Sequence, residues 1–295
     1  MKIRDYLNES FRVSMLKLFP LSMIYYLYFM IVSVVMNITV SPLLAGIDKT
    51  SLQVNPFDVI EIMRNNFYAM GSAGIIKFFV AISLAITLLV SIFLFMDAAN
   101  RFILMDAMLN GKTKFSIKAY LFIGNVFLKR FFQIAIWFIL LFAVAFLFNY
   151  ALNNLSVYLS RIMANMVPML KYSVQIIIFT FITGILIFVY IFTAFLYFFF
   201  PAIVIVENCS VRSAMQKILA IVKSFETFVK YLVFTVVVVF ITLLFSIAAM
   251  GIVSVSVIAP ALYPFLFVLY TFVLIYTILF AEAATQIFYL DNRIN

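Results

Sequence analysis

The sequence predicts an all-α, polytopic membrane bundle of about six transmembrane helices, and three observations carry that expectation. Of the 295 residues, 67% are apolar and 11% charged, with a mean hydropathy of +1.21; a soluble domain carries about 25% charged residues to coat itself against water. Six apolar runs are long enough to cross a hydrocarbon layer of about 30 Å at roughly 1.5 Å per residue. The basic residues between those runs fall mainly on alternate sides.

The first run, 18–40, exceeds a secretory h-region, no small-x-small cleavage pattern follows it, and it reads as a retained span. The second, 78–96, lies between Lys77 and Asp97, and the third is 131–148. The fourth, 174–206, is unusually long, and Pro201 is expected to kink it or end its transmembrane part. The fifth and sixth, 231–259 and 261–281, are separated by Pro260 as a breaker. Barrel strands would alternate polar and apolar over about 10 residues, whereas these runs are apolar all round. A helix satisfies its own backbone polar groups, which lipid cannot do for it.

Amphipathic segments precede the odd-numbered spans. Ile3, Leu7, Phe11, Ser14 and Leu18 share one face. Ser116 is placed to cap a helix with Ile117, Tyr120, Gly124, Phe127 and Phe131 in a stripe, and Ser210 one with Val211, Met215, Leu219, Val222, Phe225 and Val229. Basic residues flank each stripe, the pattern of helices lying in the membrane interface or packed beneath the bundle. On the other side, Asn55-Pro56-Phe57-Asp58 reads as a helix start, with Phe57, Ile60, Phe67 and Met70 on the bilayer or lidding the bundle. Residues 149–173 read as a loop, and the whole chain 1–295 as one membrane domain.

Charge sets the orientation. With the N-terminus inside, fifteen Lys and Arg fall in the segments 1–17, 101–130, 212–230 and 293, against five on the other face: Lys49, Arg64, Lys77, Arg161 and Lys171. Basic loops stay cytoplasmic, so both termini are expected inside a cell membrane. The net charge of +9 is then topological; it suits anionic lipid headgroups and does not point to nucleic acid.

The chain also reads as three units, 1–106, 107–207 and 208–295, each an amphipathic segment followed by a span out and a span back. Span two ends Leu94-Phe95-Met96-Asp97-Ala98-Ala99 with Asp106 nine residues after Asp97; span six ends Leu279-Phe280-Ala281-Glu282-Ala283-Ala284 with Asp291 nine after Glu282. Chance matching among apolar residues is the alternative.

The inventory for chemistry is thin. There is no histidine and one cysteine, Cys209, so the commonest general base and metal ligand are missing and no internal disulfide forms. No nucleotide, redox or hydrolase motif is present, and no catalytic residue, cofactor or metal ligand is expected. The candidate functional residues are ionisable groups at the span ends: Asp97, Arg101, Asp106, Glu207, Glu282 and Asp291. Charge at membrane depth is costly, which makes such groups candidates for function; the structural alternative is ion pairing, for instance with Arg101. Gln133, Gln175, Thr183, Thr193, Thr235, Thr242, Ser83, Thr87 and Ser91 read as interhelical packing glue, and Gly184 and Gly251 as points of close helix approach.

The segment Pro201-Ala-Ile-Val-Ile-Val-Glu207 followed by Ser210-Val-Arg-Ser-Ala214-Met-Gln-Lys217, with the closing Thr285-x-x-x-Tyr289-x-Asp291-x-Arg293, resembles the membrane domain associated with glycerophosphoryl diester phosphodiesterases and related YciC-type multi-pass membrane proteins. Asn208-Cys209 stands at a Gly-rich step of that pattern, and Ile218-Leu219 at its Ser-Trp. Phosphodiesterase activity in that family belongs to a separate soluble barrel with His and acidic metal ligands. The resemblance therefore implies a membrane module rather than the enzyme.

Three functions remain in view. A non-enzymatic accessory or envelope-organising module acts through lipid and a membrane protein partner. A transporter or channel for a small solute is allowed by repeats and a long fourth span. A lipid-acting enzyme would need convergent acids facing a headgroup pocket.

Overall fold

A computed structural model describes residues 3–45, 56–110, 115–162, 168–258 and 260–292. Among the described residues there is no strand, and eight α-helices form: α1 Ile3–Val40, α2 Pro56–Ala69, α3 Gly71–Asn110, α4 Ile117–Ile162, α5 Pro168–Val206, α6 Val211–Lys223, α7 Phe225–Ile258 and α8 Tyr263–Asn292. A single 3₁₀ turn, Pro260–Leu262, joins α7 to α8. Six of these helices, α1, α3, α4, α5, α7 and α8, are long and apolar enough to cross a membrane. The protein has the fold of a multi-pass helical membrane protein.

The helices outrun the apolar stretches. α4 continues to Ile162 and α5 begins at Pro168, so most of the segment 149–173 is helix rather than loop. Residues 149–162 hold no Gly or Pro, and extending an existing helix is far easier than nucleating one. The helix continues through Pro201 to Val206. The amphipathic segments before spans one and three are the first turns of α1 and α4, and only α6 stands apart. Ser224 separates it from α7: its non-helical backbone donates to the carbonyls of Ala220 (3.3 Å) and Ile221 (3.2 Å), while its own carbonyl accepts from Phe228 (2.8 Å).

The expected caps form. Ser210 Oγ accepts from the Ser213 amide at 3.2 Å, and Ser116 Oγ from Ala119 at 3.4 Å. Of the reading 55–58 as a helix start, Pro56 is the first residue of α2, whereas Asn55 and the side chains of Phe57 and Asp58 lie outside the described residues. α2 turns directly into α3 at Gly71, whose φ of +65° suits glycine.

The chain divides into two compact units, residues 1–18 with 98–295, and residues 19–97. In the smaller unit the Tyr28 hydroxyl donates to the Leu89 carbonyl (3.4 Å), and Asn66 Nδ2 ties α2 to the carbonyls of Leu43 (2.9 Å) and Ala45 (2.8 Å). Phe67 packs edge-on to Phe78 and Phe79. Ile60 is exposed.

The core of the larger unit sits at one end of the helices. Phe199, Phe200 and residues 202–205 at the end of α5 are buried, as are Tyr231 and Phe234 on α7 and residues 279–281, 283, 284, 288 and 289 on α8. Phe234 stacks on Phe288 at 4.0 Å, and Tyr231 and Phe199 meet edge to face at 4.8 Å. Over its most apolar window each span is little packed, with between 6% (α5) and 33% (α8) of residues buried.

Two expectations about packing need correction. The hydroxyls of Thr87, Ser91, Thr193, Thr235 and Thr242 return to carbonyls of their own helices, at 2.6–2.9 Å, rather than bridging to neighbours; a carbonyl one turn back is always within reach of a helical hydroxyl. A Cβ added at Gly184 or Gly251 would meet no atom within 4 Å, so neither marks a close helix approach.

Candidate functional site: a polar belt at one end of the bundle

Of the stripe Ile3, Leu7, Phe11, Ser14 and Leu18, only Ser14 lies on the buried face of the start of α1. That face is Tyr6, Ser10, Val13, Ser14 and Lys17, all within 2% exposure. Small hydroxyl residues permit this, because Ser10 and Ser14 bond back to the Tyr6 (2.5 Å) and Ser10 (2.7 Å) carbonyls and need no further partner. Phe11 flanks that face and stacks on Phe280 at 4.5 Å.

Tyr6 opens the first of two hydrogen-bonded nodes. Its hydroxyl donates to Asp291 Oδ2 and accepts from Asn292 Nδ2 at 3.2 Å. Lys230 Nζ reaches Asn292 Oδ1, and the Tyr231 hydroxyl donates to the Asn292 carbonyl at 3.2 Å. The end of α8 is thereby clasped by the starts of α1 and α7. Beneath it, Tyr6 packs edge-on to Phe288 at 5.3 Å.

Glu207 forms the second node. It follows α5, where Asn208 takes a φ of +46° that turns the chain toward α6. Asparagine is among the few residues that accept this left-handed conformation readily, which explains how it stands at a step where glycine serves equally. Lys217 Nζ pairs with Glu207 Oε2, and the Tyr289 hydroxyl donates to Glu207 Oε1. Arg130, on α4 just before its apolar run, bonds Asn208 Oδ1 at 2.7 Å and lies 5.0 Å from the Phe127 ring. Burial is the main cause holding the half-buried Cys209 thiol above its ordinary pKa, and the Glu207 charge adds to it.

The six sequence candidates distribute unevenly over this end. Glu207 and Asp291 sit in different nodes. Tyr289, which donates to Glu207, and Asp291, which accepts from Tyr6, are two positions apart on α8 and so project to different sides of it, which keeps the two carboxylates from converging. Asp106 accepts from Asn110 Nδ2 at 2.6 Å and acts electrostatically on the buried Lys17 ammonium. Asp97 is half-buried on α3. Arg101 and Glu282, by contrast, are 2% and 3% exposed, which places Glu282 in the packed interior rather than at a solvated interface. Glu282, Gln286 and Tyr289 lie one above another on α8 at spacings of four and three, so a buried polar file leads from Glu282 toward the Glu207 node.

Several belt residues escape sequence reasoning. Gln286 is fully buried, and neither of its amide atoms has a hydrogen-bond partner among the described residues. Asn100 is fully buried and accepts from the Tyr120 hydroxyl at 3.0 Å. The available signal for Gln286 was its place four residues after Glu282; Tyr6 and Lys17 gave none beyond lying in an amphipathic segment. Among the described residues no group of three or more potential metal ligands forms. Comparison with protein-family models, with curated proteins and with solved structures finds no match.

Proposed function

We propose that the protein is a multi-pass module of the cell membrane, with both termini and the polar belt on the cytoplasmic side, acting as a non-enzymatic accessory or envelope-organising component through lipid and lateral contact with a membrane protein partner. The observation that carries this reading is the contrast between the two ends of the helices. Polar contacts concentrate in one belt, whereas the most apolar window of α5 has 6% of its residues buried, and side chains such as Phe179 and Phe181 are about 70% exposed. Such faces need lipid or a neighbouring helix. The two motifs behind the resemblance to the phosphodiesterase-associated membrane domain bond to each other through Tyr289 and Glu207, which supports reading the chain as a relative of that module. The test is photo-crosslinking from Phe179 and Phe181 in native membranes, followed by purification in mild detergent. A discrete heterologous band is expected; adducts to lipid alone would overturn the accessory reading.

A second reading, transport of a small solute, draws on Glu282, Gln286 and Arg101, polar side chains buried within the larger unit. Buried ionisable groups on spanning helices are candidates for a pathway. It requires solute flux in proteoliposomes that Glu282→Gln abolishes.

A further inference from the structure

We propose that the groove between α4 and α6 is a binding site for one phospholipid with an anionic headgroup, its phosphate at Arg212 and an acyl chain over Trp137 and Ile136. The inference deepens the membrane-module reading and rests on it.

The groove has a volume of about 520 Å³. Gln133, Ile136 and Trp137 of α4 form one wall, and Arg212, Met215 and Gln216 of the first turns of α6 form the other. The α4 wall grades from polar Gln133 to apolar Ile136 and Trp137, and the α6 wall sets Arg212 and Gln216 on either side of Met215. Gln133, Arg212 and Gln216 are exposed hydrogen-bonding side chains at the level where α4 enters its apolar run. Trp137 and Ile136 lie about one turn deeper, 52% and 57% exposed. A phospholipid has that order of chemistry, an anionic phosphate above and hydrocarbon below. Amphipathic rings such as indole favour the boundary between the two.

Charge complementarity fixes the headgroup. Arg212 offers a planar guanidinium, which matches phosphate oxygens in a bidentate manner. A second guanidinium, Arg130, is held at the same end of α4 by Asn208. The carboxylate of the adjoining turn, Glu207, is engaged by Lys217 and Tyr289, so its charge is offset before it reaches the groove. α6 itself shows two apolar edges. Val211, Ala214, Ile218 and Ile221 are buried against the protein, while Leu219 is 52% exposed. A helix packed on one edge and apolar on another lies in the interface plane, at the depth where headgroups are found.

Trp137 is the only tryptophan of the chain, so its fluorescence reports on the groove directly. The full chain is reconstituted in phosphatidylcholine vesicles containing a small fraction of phosphatidylglycerol brominated in the upper acyl chain. Quenching is expected to exceed severalfold that produced by the same fraction of brominated phosphatidylcholine. Arg212→Gln should reduce the excess about fivefold, one basic contact's worth at the membrane surface, and Arg212→Lys should retain part of it. Should Arg212→Gln fail to fold, as judged by helicity, Gln216→Glu replaces it, since a carboxylate in the groove should also remove the excess. Equal quenching by the two lipids, or an excess unaffected by the folded variant, overturns the proposal. Inorganic phosphate abolishing the excess at an ionic strength where chloride does not would mark a free-anion site and overturn the lipid assignment. A site without a protein partner, or a partner without a site, separates the fate of this inference from that of the accessory reading.

Discussion

The two tyrosines of the belt make nominally alike bonds in unlike surroundings. Tyr289 is 1% exposed, and the Glu207 side chain that accepts from it is 16% exposed and also bound by Lys217. Tyr6 is equally buried, but its acceptor Asp291 is exposed, and water replaces a lost donor there. Removing a hydroxyl that serves a shielded carboxylate costs roughly 1.5–3 kcal/mol, because the oxygen it served, here Oε1, loses its donor where water does not readily replace it. We therefore expect Tyr289→Phe to lower stability in detergent by about 2 kcal/mol and Tyr6→Phe by under about 1 kcal/mol, read as shifts in a thermal or denaturant unfolding midpoint. Equal losses would show that Glu207 is as well solvated as Asp291. Sequence reasoning picked out both acids, since a charged residue at a span end is conspicuous. It had no means of seeing which one is shielded, because that depends on Lys217 and Tyr289 arriving from other elements. Beyond its place four residues after Glu282, Gln286 gave no signal for a related reason: an amide within an apolar helix reads the same whether it faces lipid, a neighbour or the interior.

At the scale of elements, helix class and number were legible because hydrocarbon leaves the backbone no alternative, and the caps at Ser116 and Ser210 were legible because capping is a local event. The packed face of α6 was not. Its apolar stripe was read through Val211, Met215 and Leu219, yet the face against the protein runs through Val211, Ala214, Ile218 and Ile221. A search for large apolar residues selects the side that suits lipid, while close packing against α5 and α7 selects small Ala214. The two faces make opposite demands on substitution. Ala214 is fully buried, so Ala214→Leu overpacks the joint and should cost about 1–3 kcal/mol of stability. Leu219→Ala removes an exposed side chain and should leave the unfolding midpoint unchanged while weakening attachment of the isolated α6 peptide to vesicles. If Leu219→Ala proved the more destabilising of the pair, the assignment of faces would be reversed. In the stretches of spans two and six matched by sequence, Ala98, Ala99 and Arg101 are buried as are Ala283, Ala284 and Gln286, whereas Asp97 is half-buried and Glu282 is buried.

For the whole molecule, orientation decides which compartment the polar belt and the groove face, and α4 offers the means to measure it. At 46 residues it is roughly 69 Å long at about 1.5 Å per residue, more than twice a hydrocarbon layer of about 30 Å. An α4 that crosses the membrane therefore stands with its two ends in water on opposite sides. Lys118 near its start and Tyr158 near its end are exposed, so cysteines placed there sample the two compartments from a single rigid element. Cys209 is the only cysteine to be removed first, as Cys209→Ser. The fifteen-to-five division of basic residues between the two sets of segments is the ground for the proposed orientation, with the belt side in the cytoplasm. On intact cells a membrane-impermeant maleimide should label Tyr158→Cys, and should label Lys118→Cys only after permeabilisation. The reverse pattern would put Arg212, the Glu207 node and the clasp of the two termini outside the cell, away from the cytoplasmic leaflet whose anionic lipids the groove is proposed to bind. Labelling of both positions on intact cells would mean that α4 does not cross, and the six-span arrangement would fall with it.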